Sequence, residues 1–217
     1  MKAVELRNVT KSYGSRTIFE KMSFSIDEGE MIALVGPSGS GKSTILNIIG
    51  LLETYDNGTV SLFEQELPKA ESRAAMLMRR NVINYLFQSF ALINDMTILQ
   101  NLMLSMRFVD ISKQEKIGKI NNILDTVGLL PLKDSIVNTL SGGEQQRTAL
   151  ARAMLKPGKL ILADEPTGSL DAHAADLSFF LIQSLCKQYK KTVILVTHNL
   201  ELAKRADNMI DIKSFQR

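Results

Sequence analysis

The sequence predicts an α/β fold, a single domain over residues 1–217 built on a parallel sheet with helices on both faces. Three observations predict it. Short, wholly or mainly apolar runs recur as "MIALV" at 31–35, "LILA" at 160–163 and "TVILV" at 192–196. Segments of helical periodicity separate them. One of the runs passes through a glycine-rich turn, "GPSGSGKST", straight into a helix.

Residues 3–9 and 22–26 read as strands, with Asp27, Glu28 and Gly29 as the turn that follows. The buried strand 31–35 leads into the glycine turn and then a helix from Lys42 to about residue 51. Residues 56–63, "DNGTVSLF", are a further turn and strand. Over 68–132 the character changes. Ile117, Ile120, Ile123, Leu124 and Val127 fall at helical spacing, and Gly128 stands where a helix C-cap belongs, so this stretch is a mostly helical insert. Strand–helix alternation then returns: strand 160–163, helix 172–189 capped by Asp171, strand 192–196, a short helix, and a last strand at 208–212. The chain stops soon after that strand, so no regulatory domain is expected.

Composition narrows the function classes. With 45% hydrophobic and 23% charged residues there is material for a sizeable core, and the net charge of +3 is small. Basic residues cluster only in short groups, Arg79 and Arg80, Lys187 with Lys190 and Lys191, and Lys204 and Arg205. These read as solvated faces, so no nucleic-acid partner is expected. The single cysteine, Cys186, excludes an internal disulfide, fits a reducing cytosol, and falls on an apolar helical face as a core side chain. Glu5 and Arg7 stand where a signal peptide needs an apolar run. No segment approaches the length of apolar chain that spans a bilayer, so any membrane role needs a separate partner.

The chemistry begins with Gly36, Ser38, Gly39, Ser40, Gly41, Lys42, Ser43 and Thr44, which fit GxxxxGK[ST] between a strand and a helix. Glycines allow backbone N–H groups to turn inward around a phosphate, and the helix start adds about half a positive charge from its dipole. Lys42 can reach the outer phosphates, and the Ser43 hydroxyl can ligate Mg²⁺. Such a loop needs an acidic partner on a neighbouring strand. "KLILADE" supplies Asp164, to hold the metal at the strand end, and Glu165, to polarise an attacking water. A second glycine-bearing helix start, "TLSGGEQQR", also has the form of a phosphate site: Ser141 can donate to an oxygen while Gly142 and Gly143 permit close backbone approach.

The stretch "LSGGEQQR" at 140–147 resembles the signature of the ATP-binding cassette (ABC) ATPases, and the other motifs follow in that family's order over nearly the whole chain. Tyr13 resembles the aromatic that stacks on adenine. Gln88 in "LFQSF" resembles the glutamine that contacts Mg²⁺ and couples to the membrane subunit. Ser169, Leu170 and Asp171 resemble the D-loop, and His198 resembles the switch histidine that senses the γ-phosphate. His173 has no such counterpart and reads as a surface residue.

The resemblance implies a P-loop NTPase fold of ABC type: a parallel core sheet, an N-terminal antiparallel β-subdomain and a helical subdomain over about 89–140. It implies ATP and Mg²⁺ as ligands, with Lys42, Glu165 and His198 at the reaction. The metal would be held by Ser43, Gln88 and Asp164. It also implies a head-to-tail homodimer in which each ATP lies between the phosphate loop of one subunit and Ser141, Gly142 and Gly143 of the other. Its further partner is an integral-membrane permease, which places the chain at the cytoplasmic face of the cell membrane.

Within that family "LADEPTGSLD" resembles the branch of macrolide exporters, lipoprotein-release systems and bacitracin-type resistance pumps. "NYLFQSFALINDMTILQNL" resembles ATPases of bacteriocin or antimicrobial-peptide export in Gram-positive bacteria. "FALIND" departs from the proline-containing form common there, and "GLLETYDNGTVSLFEQEL" lacks a glycine usual after the hairpin strand. Both weaken a substrate assignment and leave ATP chemistry untouched. The competing class, soluble ABC ATPases of DNA repair or translation, carries a long inserted coiled coil or two cassettes, and neither pattern occurs here.

Overall fold

The computed structural model describes residues 1–168 and 170–215. The first half runs β1 (Lys2–Tyr13), β2 (Arg16–Asp27), β3 (Met31–Val35), α1 (Lys42–Ile49), β4 (Asn57–Leu62), β5 (Gln65–Glu66), α2 (Arg73–Asn81) and β6 (Ile83–Leu86). It continues with α3 (Ile98–Ser105), α4 (Lys113–Thr126), α5 (Gly142–Leu155), β7 (Leu160–Asp164), α6 (Ala172–Lys187), β8 (Thr192–Val196), α7 (Leu200–Ala203) and β9 (Asn208–Asp211).

Among the described residues these strands make two sheets. One is antiparallel in the order β2-β1-β4-β5, and the other is parallel in the order β6-β7-β8-β3-β9. The parallel strands are buried on both faces, which is why they read as unbroken apolar runs. Alternate side chains divide between two cores. Ile32, Leu34, Leu162 and Ile194 pack with α1 and the antiparallel sheet. Ile161, Ala163, Val193 and Leu195 pack with α3, α4, α5 and α6. Burying each such Leu, Ile or Val stabilises by about 1.5–3 kcal/mol relative to exposure.

Three sequence expectations change. The first two strands run beyond 3–9 and 22–26, to Tyr13 and back to Arg16. Register shifts along β1, with Asn8 and Lys21 at positive φ, break the period of two that would have revealed the extensions. Within the mostly helical insert predicted over 68–132 the sequence pattern marks no strand, yet β6 lies there and pairs with β7. "INYL" is short and carries a polar residue inward: Asn84 is 1% exposed and donates from Nδ2 to the Gly158 carbonyl. The glycines of the second loop lie inside a helix, since α5 begins at Gly142 and Ser141 is its N-cap.

Helix starts follow side-chain capping. Thr97 with Gln100, Ser112 with Glu115 and Ser141 with Glu144 form reciprocal capping boxes, each of a kind whose loss costs about 1 kcal/mol. Gly128, at φ 68°, follows the end of α4 in the left-handed conformation, as the sequence predicts.

The end of α5 carries a titratable feature. Lys191 Nζ donates to the carbonyls of Ala153 and Lys156 at 2.8 and 3.0 Å. Burial, with the Lys156 charge behind it, pushes Lys191 down from its ordinary 10.5 to about 8. Between about pH 8 and 10 the unfolded chain therefore holds more protons at this residue than the folded one, and its contribution to stability rises with pH. The melting-temperature gap between wild type and Lys191→Met should move in favour of wild type across that window. A gap constant with pH would show that the lysine titrates normally.

Candidate active site

Three loops leave the same edge of the parallel sheet. Leu34 and Asp164 both lie level with Val196 on β8, which sits between β3 and β7. The loop after β3, Glu165 after β7 and His198 after β8 thus emerge together beyond the carboxyl ends of the strands, where open α/β sheets bind ligands.

The loop between β3 and α1 is tightly constrained. Gly41 is the N-cap of α1 at φ 92°, and a Cβ there would overlap Ile18 Cγ2 on β2, so only glycine fits. The Lys42 ammonium spans the loop, donating to the carbonyls of Gly36 and Pro37 at 2.8 Å each, and Ser40 in the same loop is 3% exposed. Ser43 Oγ donates to Asp164 Oδ1 at 3.1 Å. Burial pushes the Asp164 carboxyl up, the Ser43 hydrogen bond opposes this, and the neighbouring Glu165 charge adds to the rise. The Ser43 hydroxyl and the Asp164 carboxylate thus meet at the end of β7, beside the Lys42 charge, which also opposes the rise.

Glu165 adopts φ 48°, a left-handed conformation that costs a non-glycine residue of order 1–3 kcal/mol. Its amide donates to the Val196 carbonyl, so the strained turn is pinned to the sheet, and its Oε2 meets Nδ1 of His198. Gln88 is exposed just past β6. A Cβ built at Gly168 would stand 3.5 Å from Glu165 Oε2 and 3.6 Å from Gln88 Nε2, so both side chains border the same turn.

One cavity of about 500 Å³ is lined by Tyr13, Arg16, Ile18, Ser38, Gly39, Gly41, Lys42, Ser43, Thr44, Glu165 and His198, while Gly36, Ser40, Gln88 and Asp164 lie outside its lining. Loop, acid, histidine and aromatic come together as the motif order implies. Arg16 and Ile18 were not singled out by sequence, because a β-hairpin supplies them and no motif marks the hairpin.

The second glycine loop is not part of this cavity. Ser141 and Gly142 are exposed at the start of α5. The Ser141 amide and hydroxyl both donate to Glu144 Oε2, at 2.8 and 2.7 Å, and these bonds hold the Glu144 carboxyl below its usual range. Gly143 faces α6, where an added Cβ would stand 3.4 Å from Ala174 Cβ. Asp171 caps α6 by accepting from the Ala174 amide at 2.9 Å. Ser169, the first residue of the expected D-loop, lies outside the described residues. His173 is exposed, and Cys186 is a buried core thiol.

The family described as ABC transporter matches residues 19–168. Over 208 residues the chain is 38% identical to the macrolide export ATP-binding/permease protein MacB of Campylobacter jejuni, covering 96% of this chain and 32% of that protein. Over 216 residues it is 37% identical to the lipoprotein-releasing system ATP-binding protein LolD of Rickettsia bellii, covering 98% of this chain and 96% of that protein. The chain thus spans about a third of MacB and nearly all of LolD. A bacterial ABC transporter cassette solved as a dimer superposes with a TM-score of 0.85 at 34% identity, covering 99% of this chain and 97% of that one. An ATP-binding cassette solved as a dimer in a post-hydrolysis state, with ADP and phosphate, gives 0.84 at 35% identity, covering 96% and 93%.

Proposed function

The chain belongs to the ABC transporter family, and from that premise we infer that it is the ATP-hydrolysing subunit that powers a separate membrane permease. The observation that carries this reading is the convergence of the phosphate loop, Glu165 and His198 on one cavity. Its Lys42, Ser43 and loop amides would hold the triphosphate, with Gly36, Ser38, Gly39, Ser40, Gly41 and Thr44 shaping the cradle and Tyr13 under the base. Ser43 and Asp164, with Gln88 near the same turn, would hold Mg²⁺, whose chemistry is to neutralise charge on the phosphates. Glu165 would accept the proton of the attacking water, and His198, in contact with it, would hold that carboxylate toward the γ-phosphate. Phosphate release by the purified chain, dependent on both ATP and Mg²⁺, tests the reading. A folded chain that releases none would overturn it.

Two copies are proposed to pack head to tail, and a cassette of this fold has been solved as a dimer. Support comes from Ser141 and Gly142, exposed on a helix start that the chain's own cavity does not use. The N-terminus of α5 would turn the amides of Gly142 and Gly143, beside the Ser141–Glu144 capping box, and a positive dipole end to the γ-phosphate held by the partner copy. Asp171, beside the exposed start of α5, belongs to the same proposed interface.

The permease is proposed to dock in a groove of about 400 Å³ lined by Tyr85, Phe87, Ile93, Leu104, Arg152 and Lys156 among others. Ile93 and Leu104 are 46% and 44% exposed, apolar surface that a partner would cover. No helix among the described residues is long and apolar enough to cross a membrane, so attachment to the cytoplasmic face would run through this groove. Ile93→Glu and Leu104→Glu should each abolish transport-linked resistance in cells while the purified variants keep their basal ATP hydrolysis. Loss of both together would point to misfolding and end this assignment.

The cargo is proposed to be a bacteriocin or other antimicrobial peptide, on the resemblance carried by residues 84–102. The names of the relatives, macrolide export and lipoprotein release, support a second reading in the same branch. Survival of a strain lacking the gene, challenged with a peptide panel and with macrolides, separates the two.

A further inference from the structure

Among the described residues Tyr13 is the one tyrosine, phenylalanine or tryptophan on the cavity, and several further groups hold it. Its hydroxyl donates to Glu53 Oε2 at 3.1 Å. Glu53 also accepts at Oε1 from the Lys11 ammonium at 3.0 Å and from the Thr54 amide at 3.1 Å. The same ammonium stands 4.6 Å from the centroid of the Tyr13 ring. Lys11 is 5% exposed and absent from the cavity lining, whereas Tyr13 is 48% exposed and on it. The cation therefore covers the inner face of the ring and leaves the outer face to the cavity. One residue before the ring, the Ser12 amide donates to Asp56 Oδ2 at 2.7 Å.

Glu53 and Asp56 belong to the connection between α1 and β4, and α1 starts at the phosphate loop. The helix that begins beneath the phosphates is thus tied, at its far end, to the strand end that carries the ring. We propose that Glu53 is a positioning residue for the nucleobase. With Lys11 on the inner face, it locks the Tyr13 ring at a set distance from the phosphate loop, so that a purine stacks on the outer face with its triphosphate already aligned. An exposed tyrosine without that anchor would lose rotamer freedom on each binding event, a cost that preorganisation removes. The proposal rests on the reading of this cavity as an ATP site.

The test compares ATP with inorganic tripolyphosphate, which has the phosphates and no base, both with Mg²⁺. Glu53→Ala and Tyr13→Phe should each raise the Kd for ATP roughly 3–10-fold, the scale of one lost hydrogen bond in preorganisation. Tripolyphosphate should bind both variants as it binds wild type. The double variant should lose no more than Glu53→Ala alone, because that variant already removes the Tyr13 hydroxyl contact. In steady-state hydrolysis the loss should fall on KM rather than kcat. Glu53→Ala leaves Lys11 buried without its carboxylate, so Tyr13→Phe, which spares that ion pair, carries the test if the first variant fails to fold. Unchanged ATP affinity in Tyr13→Phe, or equal weakening of ATP and tripolyphosphate, would overturn the proposal. Wild type that binds tripolyphosphate as tightly as ATP would instead overturn the reading of the cavity beneath it.

Discussion

Glu165→Gln should lower ATP turnover by roughly 10²–10⁴-fold and leave ATP binding intact. Glutamine keeps the volume and a hydrogen-bonding carbonyl but cannot take a proton at neutral pH. Glu165, at φ 48° just past β7, has its carboxylate in contact with His198 and lines the cavity together with the phosphate loop, where the proposed task would need it. Glutamine tolerates that conformation about as well as glutamate does, so the expected defect is chemical and not structural. If ATP bridges two copies as proposed, ATP that binds and is not hydrolysed would hold them closed, and the ATP-bound dimer should accumulate on size-exclusion chromatography. Near-normal hydrolysis by this variant would place the proton acceptor on another residue.

The motifs were legible because each is a local solution to a local demand. A phosphate loop needs its glycines and lysine within a few residues, the pattern of Gly36 to Thr44, and the acid proposed to hold Mg²⁺ needs a buried strand to end on, as β7 ends on Asp164. The parallel strands were legible for the opposite reason: buried on both faces, β3 and β8 tolerate almost nothing but apolar residues. What stayed hidden depends on partners far away in sequence. Lys11 and Glu53 are 42 positions apart, and each alone is an ordinary charged residue. β6 was missed because its one polar residue finds a carbonyl at Gly158 that no local pattern announces. The capping boxes at Thr97 and Ser112 were written in the sequence in plain S/T-x-x-E/Q form and would have marked the starts of α3 and α4.

A mixture of two inactive variants should recover activity. Lys42→Ala removes the ammonium that spans the phosphate loop, and Ser141→Arg places a bulky side chain at the start of α5. Each variant alone forms dimers in which both sites are broken. Mixed in equal amounts, about half of the dimers pair unlike copies if assembly is random and symmetric. In such a dimer one site combines both defects, and the other combines an intact phosphate loop with an intact Ser141. If the sites act independently, activity should return to roughly a quarter of the wild-type level. The exclusion of Ser141 from its own chain's cavity is what makes the rescue expected, since a loop that served the ATP of its own chain would leave every site broken. Turnover that needs both sites at once would mask the effect. The decisive measurement is therefore ATP trapped by dimers that also carry Glu165→Gln, where one intact site is enough to hold nucleotide. Trapping in the mixture and in neither variant alone is the expected result. Its absence, with both proteins shown to be folded, would reject a site shared between copies.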